Sequence, residues 1–329
     1  MVHEDQADAA QLPLAPGTRI IIPNHEPTKC SNKRNGIVRA YAANTNQGLV
    51  RNYNEDRVSI ILNIVKPEHR KHETWPTCSF FGVYDGHGGS ACAEFLRDNL
   101  HHYVIKEETF PWNPEQAIKG GFAKAEARFL EICQAKDENT GQMTVIERSG
   151  SCAIVVLIVG EICYTANVGD SRAILSSNGG QQVVALSRDH KPSDVDEYNR
   201  IIKAGGQIYQ TTTAQTLHNQ PVQEGTDKLQ EPEYIVGPIR VLPGRLSVCR
   251  TFGDPEAKLE YRGGNPQVVK AEPEIRTHQI SKFHDFIVLA SDGIFDKLSD
   301  EDVGQCVWLS CDSAKQARQN QIQKGEQHS

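Results

Sequence analysis

Residues 80–89 read Phe80-Phe81-Gly82-Val83-Tyr84-Asp85-Gly86-His87-Gly88-Gly89. An apolar run of strand length stops at an aspartate, a histidine and three glycines. A buried strand would thus deliver a carboxylate and an imidazole to a sheet edge, where glycine lets a ligand approach the backbone closely. Aspartate is a hard oxygen ligand suited to magnesium or manganese, and histidine is the commonest acid or base near neutral pH. Taken alone, the stretch also fits an ordinary Asp-Gly turn after a strand.

A second stretch breaks that tie. Phe286-Ile287-Val288-Leu289-Ala290-Ser291-Asp292-Gly293-Ile294-Phe295-Asp296 repeats the pattern of an apolar run closed by Asp-Gly. A weaker third case, Ile162 to Arg172, ends in Val168-Gly169-Asp170-Ser171-Arg172. Upstream, Arg51-Asn52-Tyr53-Asn54-Glu55-Asp56 adds two carboxylates and an arginine. Singly these are solvated loop charges. Together they suggest carboxylates converging on one cleft, an arrangement that repels itself unless a cation sits between them.

Between these motifs the pattern alternates strands with grouped helices. Strand-like segments fall at Ile37–Ala43, Arg57–Val65, Cys152–Val159, Glu161–Asn167, Arg172–Ser176 and Val183–Leu186. Apolar residues at helical spacing predict helices over Ser90–Ile105 and Pro114–Ala135, followed by a loop from Lys136 to Glu147. A third helix is expected over Ser193–Ala204, capped by Ser193 and stopped by Gly205-Gly206. Strand meanders with grouped helices argue for an α+β fold rather than alternating βαβ units.

The chain has 329 residues and a net charge of −7. That length allows a substantial buried core, and the charge gives no reason to expect nucleic-acid binding. The longest apolar run, Ala153–Val159, is too short for a membrane span. Met1–Gln11 is acidic and polar, unlike a signal peptide. Nine cysteines without a CxxC pair read as reduced thiols of a cytoplasmic or nuclear protein. A C-x5-R nucleophile loop is not evident, and Cys249 immediately before Arg250 lacks that spacing.

The motifs, taken in order, resemble the metal-dependent protein phosphatases of type 2C. The similarity runs through Arg51–Asp56, Phe80–Gly89, Ser149–Ala153, Ala166–Ala173, Arg200–Ile208, Leu246–Asp254 and Val288–Asp296. Cys249 stands where the family usually has serine. The resemblance implies two antiparallel sheets packed as a sandwich and flanked by helices. It implies hydrolysis of phosphoserine and phosphothreonine in proteins by a metal-bridged hydroxide, with two Mg²⁺ or Mn²⁺ ions per site and, in relatives, a third, weaker one. On that resemblance Asp85 would bridge the ions, Gly86 would offer its carbonyl, and Asp292 and Glu55 would each hold one. Arg51 would clamp phosphate oxygens and His87 would protonate the departing oxygen. Asp170 matches a residue tied to the third metal; the alternative is a buried carboxylate paired with Arg172 or with a backbone turn. Asp254 is expected to stabilise its turn. The implied partners are phosphoprotein substrates, and the chain is expected to be a monomer.

Two segments depart from the family pattern. Gln210 to about Gly237 reads as a polar insertion, open to a role in substrate selection or to none. Residues 1–35 read as a polar extension before a domain spanning 36–329. After Asp296 the sequence predicts a helix over Leu298–Trp308 and then a glutamine-rich stretch, without the family's Asp-Asn pair or closing strand. The expectation is an incomplete C-terminus, with Asp296, Asp300 and Asp302 as the nearest replacement carboxylates. Two function classes follow: an active phosphatase, favoured by the retained Arg51, Glu55, Asp85, His87 and Asp292, or a phosphatase-like binding module, favoured by the missing segment. A metal-dependent nuclease is disfavoured by the acidic charge.

Overall fold

The computed structural model describes residues 27–215 and 233–326. The chain opens with β1 (Lys29–Ser31) paired to β2 (Tyr41–Ala43), so the strand expected over Ile37–Ala43 is confined to its end. Strands β3 (Arg57–Ile61), β4 (Cys78–Tyr84) and β5 (Gly86–His87) precede two long helices. These are α1 (Ala91–Ile105) and α2 (Pro114–Ile132). Helix α2 starts with proline at its first turn and the Asn113 side chain accepting from Gln116 N at 3.2 Å. It ends earlier than its apolar spacing predicts. Residues expected to extend the helix instead form β6 (Gln134–Lys136), which pairs with β7 (Met143–Val145) inside the expected loop.

The centre of the chain is a meander: β8 (Gly150–Ser151), β9 (Ala153–Val159), β10 (Ile162–Val168), β11 (Arg172–Ser177) and β12 (Gln182–Ala185). Helix α3 (Val195–Lys203) follows, capped by Asp194 rather than Ser193. The Asp194 carboxylate accepts from the backbone of Asp196 at 3.0 Å and Glu197 at 3.3 Å, satisfying two orphan N–H groups. Next come β13 (Gln207–Gln215) and β14 (Glu233–Leu242), an antiparallel pair. The polar stretch read as a loop insertion is therefore strand at both ends, and its residues 216–232 lie outside the described residues. The chain continues through β15 (Phe252–Gly253), α4 (Pro255–Lys258), β16 (Glu274–Gln279), β17 (His284–Ala290), α5 (Asp292–Phe295) and α6 (Asp300–Glu326). Helix α6 runs far beyond the predicted Trp308, and no strand follows β17 among the described residues.

Two antiparallel sheets build the body. One has five strands in the order β16-β10-β9-β4-β3, the other three in the order β12-β11-β17. Ile154, Val156 and Ile158 on the five-stranded sheet meet Leu175, Ile287 and Leu289 on the three-stranded one. The opposite face of the larger sheet carries Phe80, Tyr84, Val155 and Leu157 against Leu96, Leu100, Phe122 and Phe129 of α1 and α2. Strand β9 thus has a packed layer on each side, which is why Ala-Ile-Val-Val-Leu-Ile-Val reads as continuous rather than alternating. Val303 of α6 and Phe295 cover Ile174 on the outer face of the smaller sheet. The architecture is the helix-flanked α+β sandwich that the sequence led us to expect.

All nine cysteines are unpaired, six of them buried. Among the described residues no helix is long and apolar enough to cross a membrane.

Candidate metal centre

Strand register places four aspartates at one end of the sandwich. Arg57 pairs with Tyr84, Val83 with Ile154, Ala153 with Val168, and Arg172 with Ala290. The residues flanking those pairs are Asp56, Asp85, Asp170 and Asp292. One carboxylate oxygen from each of Asp85, Asp170 and Asp292 lies within 4.8 Å of the others. Sequence reasoning named all three. Backbone bonds fix the Asp85 corner: its carbonyl accepts from Cys152 N at 2.8 Å and from Ser151 Oγ at 3.1 Å. Gly86 is obligatory, since a Cβ there would sit 2.7 Å from the Glu55 carbonyl oxygen.

The cluster is electrostatically costly by itself. Burial pushes the Asp85 carboxyl well above its ordinary value, and repulsion from Asp56, Asp292 and Asp170 adds to the rise. Asp56 is raised by burial too, despite accepting from Ser291 Oγ at 2.7 Å. Asp170 is pushed up to about 6, first by burial and then by Asp292. Hard carboxylate oxygens crowded this way suit a divalent cation such as Mg²⁺ or Mn²⁺, whose charge would offset the repulsion.

The other expected residues are distributed less simply. Glu55 is turned toward Gly89, whose N–H donates to its Oε1 at 2.7 Å, and is not part of the three-carboxylate cluster. Arg51 is exposed, and its guanidinium enters no ion pair among the described residues. Asp170 does not pair with Arg172; that arginine binds Asp189 at 2.8 Å and Asp300 at 2.7 Å. Asp170 instead accepts from Cys152 Sγ at 3.4 Å and faces Lys191 Nζ at 3.8 Å.

The same lysine lies 3.1 Å from Asp296, and Asp302 accepts from Ser299 Oγ at 2.8 Å. Asp296 thus shares Lys191 with Asp170, Asp300 is taken up by Arg172 and Asp302 by Ser299, and none of the three belongs to the three-carboxylate cluster. Asp254 lies outside the three-carboxylate cluster and its own backbone bonds hold its turn, while its carboxylate adds a contact the sequence did not announce, 2.8 Å from His87 Nε2. Burial alone would lower the His87 imidazole, but the Asp254 charge and hydrogen bond outweigh it and hold it above its usual value.

Two neighbours of the site were missed. Asp56 was visible beside Glu55 but received no role, although it stands immediately before β3 in register with the end of β4. Lys191 carried no local signal. Away from the cluster, the buried Glu197 on α3 binds Arg200 at 2.8 Å and Arg250 at 2.5 Å. Burial would raise this carboxyl, yet the two arginines hold it well below the usual range.

The chain matches the family model described as Protein phosphatase 2C over residues 44–325, and it belongs to that family. It is 33% identical over 240 residues to a probable protein phosphatase 2C 52 of Oryza sativa subsp. japonica, covering 73% of this chain and 40% of that protein. It is 32% identical over 267 residues to a probable protein phosphatase 2C 2 of Arabidopsis thaliana, covering 80% of this chain and 56% of that one. The chain thus spans about half the length of these curated relatives. Among solved structures, a serine-threonine phosphatase 2C from Toxoplasma gondii shares the fold with a TM-score of 0.55 at 18% identity, over 92% of this chain and 86% of that one. A C. elegans sex determining protein gives 0.54 at 21% identity, over 85% of this chain and 54% of that one.

Proposed function

We propose that the chain hydrolyses phosphoserine and phosphothreonine esters in proteins, using divalent cations. The observation that carries this reading is the convergence of Asp85, Asp170 and Asp292 within 4.8 Å at the ends of three strands. Two Mg²⁺ or Mn²⁺ ions would be held by Asp85, the Gly86 carbonyl, Asp292 and Glu55, with a third at Asp170. When bound, such ions supply charge against the phosphate dianion and acidify a water into a nucleophile.

The chain's own residues have separable tasks. Asp56 and Ser291, hydrogen-bonded at 2.7 Å, brace the two strand ends against each other. Arg51, which is exposed, would offer a guanidinium fork to phosphate oxygens. His87 gives its proton to the departing seryl or threonyl oxygen as the P–O bond breaks, and the proton lost by the attacking water passes to solvent. Cys249 is no nucleophile here: it is buried with its Sγ donating to the His190 carbonyl oxygen at 3.1 Å.

The test is turnover of a phosphothreonine peptide as Mg²⁺ or Mn²⁺ is titrated into chelator-treated protein. Activity should appear with metal and vanish with excess chelator. Full turnover in excess chelator would overturn the reading. Stoichiometric metal uptake and phosphopeptide binding with no turnover would instead identify a binding module.

A further inference from the structure

Three two-residue strands bring His87 and Asp254 together. β8 lies between β5 and β15, and its register sets Gly150 opposite both His87 and Gly253. Residues on the outer strands of such a ribbon are separated by about 9–10 Å, two strand spacings, so their side chains meet only by crossing the middle strand. Gly150 permits that crossing. A Cβ there would collide with both the Asp254 carboxylate and His87 Nε2.

Asp254 follows Gly253 in the left-handed region, at φ 52 and ψ 57. That conformation is uncommon outside glycine. Both of its carboxylate oxygens lie within hydrogen-bond distance of Nε2, at 2.9 and 2.8 Å. The residue is 8% exposed. The turn itself does not need the side chain. Asp254 N donates to Ser149 O at 3.1 Å, Ala257 N donates to Asp254 O at 2.9 Å, and the carboxylate makes no cap on α4. The segment is also pinned from behind, where Gly253 N donates to Glu126 Oε2 at 2.9 Å and Lys258 Nζ to Thr251 O at 2.7 Å.

We propose that Asp254 is the positioning residue for His87: it accepts from Nε2–H, fixes the ring across Gly150, and leaves Nδ1 as the nitrogen for the departing oxygen. This rests on the reading of His87 as the leaving-group acid. An aryl phosphate with a good leaving group hardly needs that acid, whereas a phosphothreonine peptide does.

The experiment compares Asp254→Ala, Asp254→Asn and His87→Gln on p-nitrophenyl phosphate and on a phosphothreonine peptide at saturating Mn²⁺. Asp254→Ala should lower the peptide-to-aryl ratio of kcat by about tenfold or more. His87→Gln should lower it in the same direction, and combining the two should add little. Asp254→Asn keeps one acceptor oxygen and should fall between Ala and the unaltered protein. If His87→Gln is selective and Asp254→Ala slows both substrates equally, the positioning role fails and the acid reading stands. If His87→Gln is not selective, the acid reading fails. Nitrogen-15 shifts of the His87 ring in the unaltered protein decide the matter should Asp254→Ala not fold: a proton on Nε2 supports the proposal, and a neutral ring protonated only at Nδ1 overturns it.

Discussion

The two Asp-Gly turns are near copies in sequence and opposites in support. Asp85 leaves β4, which lies inside the five-stranded sheet and is mostly buried. Asp292 leaves β17, at the edge of the three-stranded sheet, where Phe286 to Ala290 are only half-buried. A shared local pattern thus positions two carboxylates for one centre from unlike depths of packing. The lesson is that an apolar run followed by Asp-Gly reports where a strand ends, not how firmly it is held.

The largest expected effect sets Asp85 apart. Asp85→Asn removes the carboxylate facing all three others and should cut metal-dependent turnover by at least about a thousandfold, several kcal/mol of lost charge stabilisation. Retained turnover at saturating Mn²⁺ would break the contrast. Stability should follow the same asymmetry: Leu157→Ala in β9 should cost about 3 kcal/mol in urea unfolding, and Leu289→Ala in β17 about 1 kcal/mol. Equal costs would show that the edge strand is as firmly packed as the central one.

Asp292→Asn should raise the metal concentration needed for half-activity by about tenfold, because water can replace a ligand on the half-buried side. The smallest effect concerns acid. Asp170 is raised to about 6, so metal-free protein is relieved of strain below the unfolded value of 3.8 and loses that relief as pH rises through about 6. In chelator, stability at pH 5 should therefore exceed that at pH 7.5 by about 1 kcal/mol, other groups being equal. Saturating Mn²⁺ should remove the difference, and Asp292→Asn should shrink it.

Much of this was legible because local pattern and local role coincide. Asp85, Asp170 and Asp292 each follow an apolar strand, and the buried run of β9 announces a strand packed on both sides. The His87–Asp254 contact was not legible, since 167 residues separate its partners and only the register at Gly150 joins them. From Gln210 onward β13 was read as a polar loop because threonine and glutamine carry no apolar alternation, although threonine suits a strand. Helix α6 was cut short for a related reason: past Trp308 it lacks a buried stripe, and residues 309–316 are exposed. Lys191 owes its place to strands brought together from elsewhere, so no nearby residue announced it.

The pairing of late strands with early ones has a consequence for a severed chain. β16 adds to β10 and β17 to β11, while β14 zips along β13 and Arg250 grips Glu197. A cut between residues 215 and 233 would therefore share both sheets between the two pieces while leaving every strand whole, so that strand pairing alone would rejoin them. The two pieces, produced separately and mixed, should reassemble into one particle, with Asp85 and Asp170 supplied by the first and Asp292 by the second.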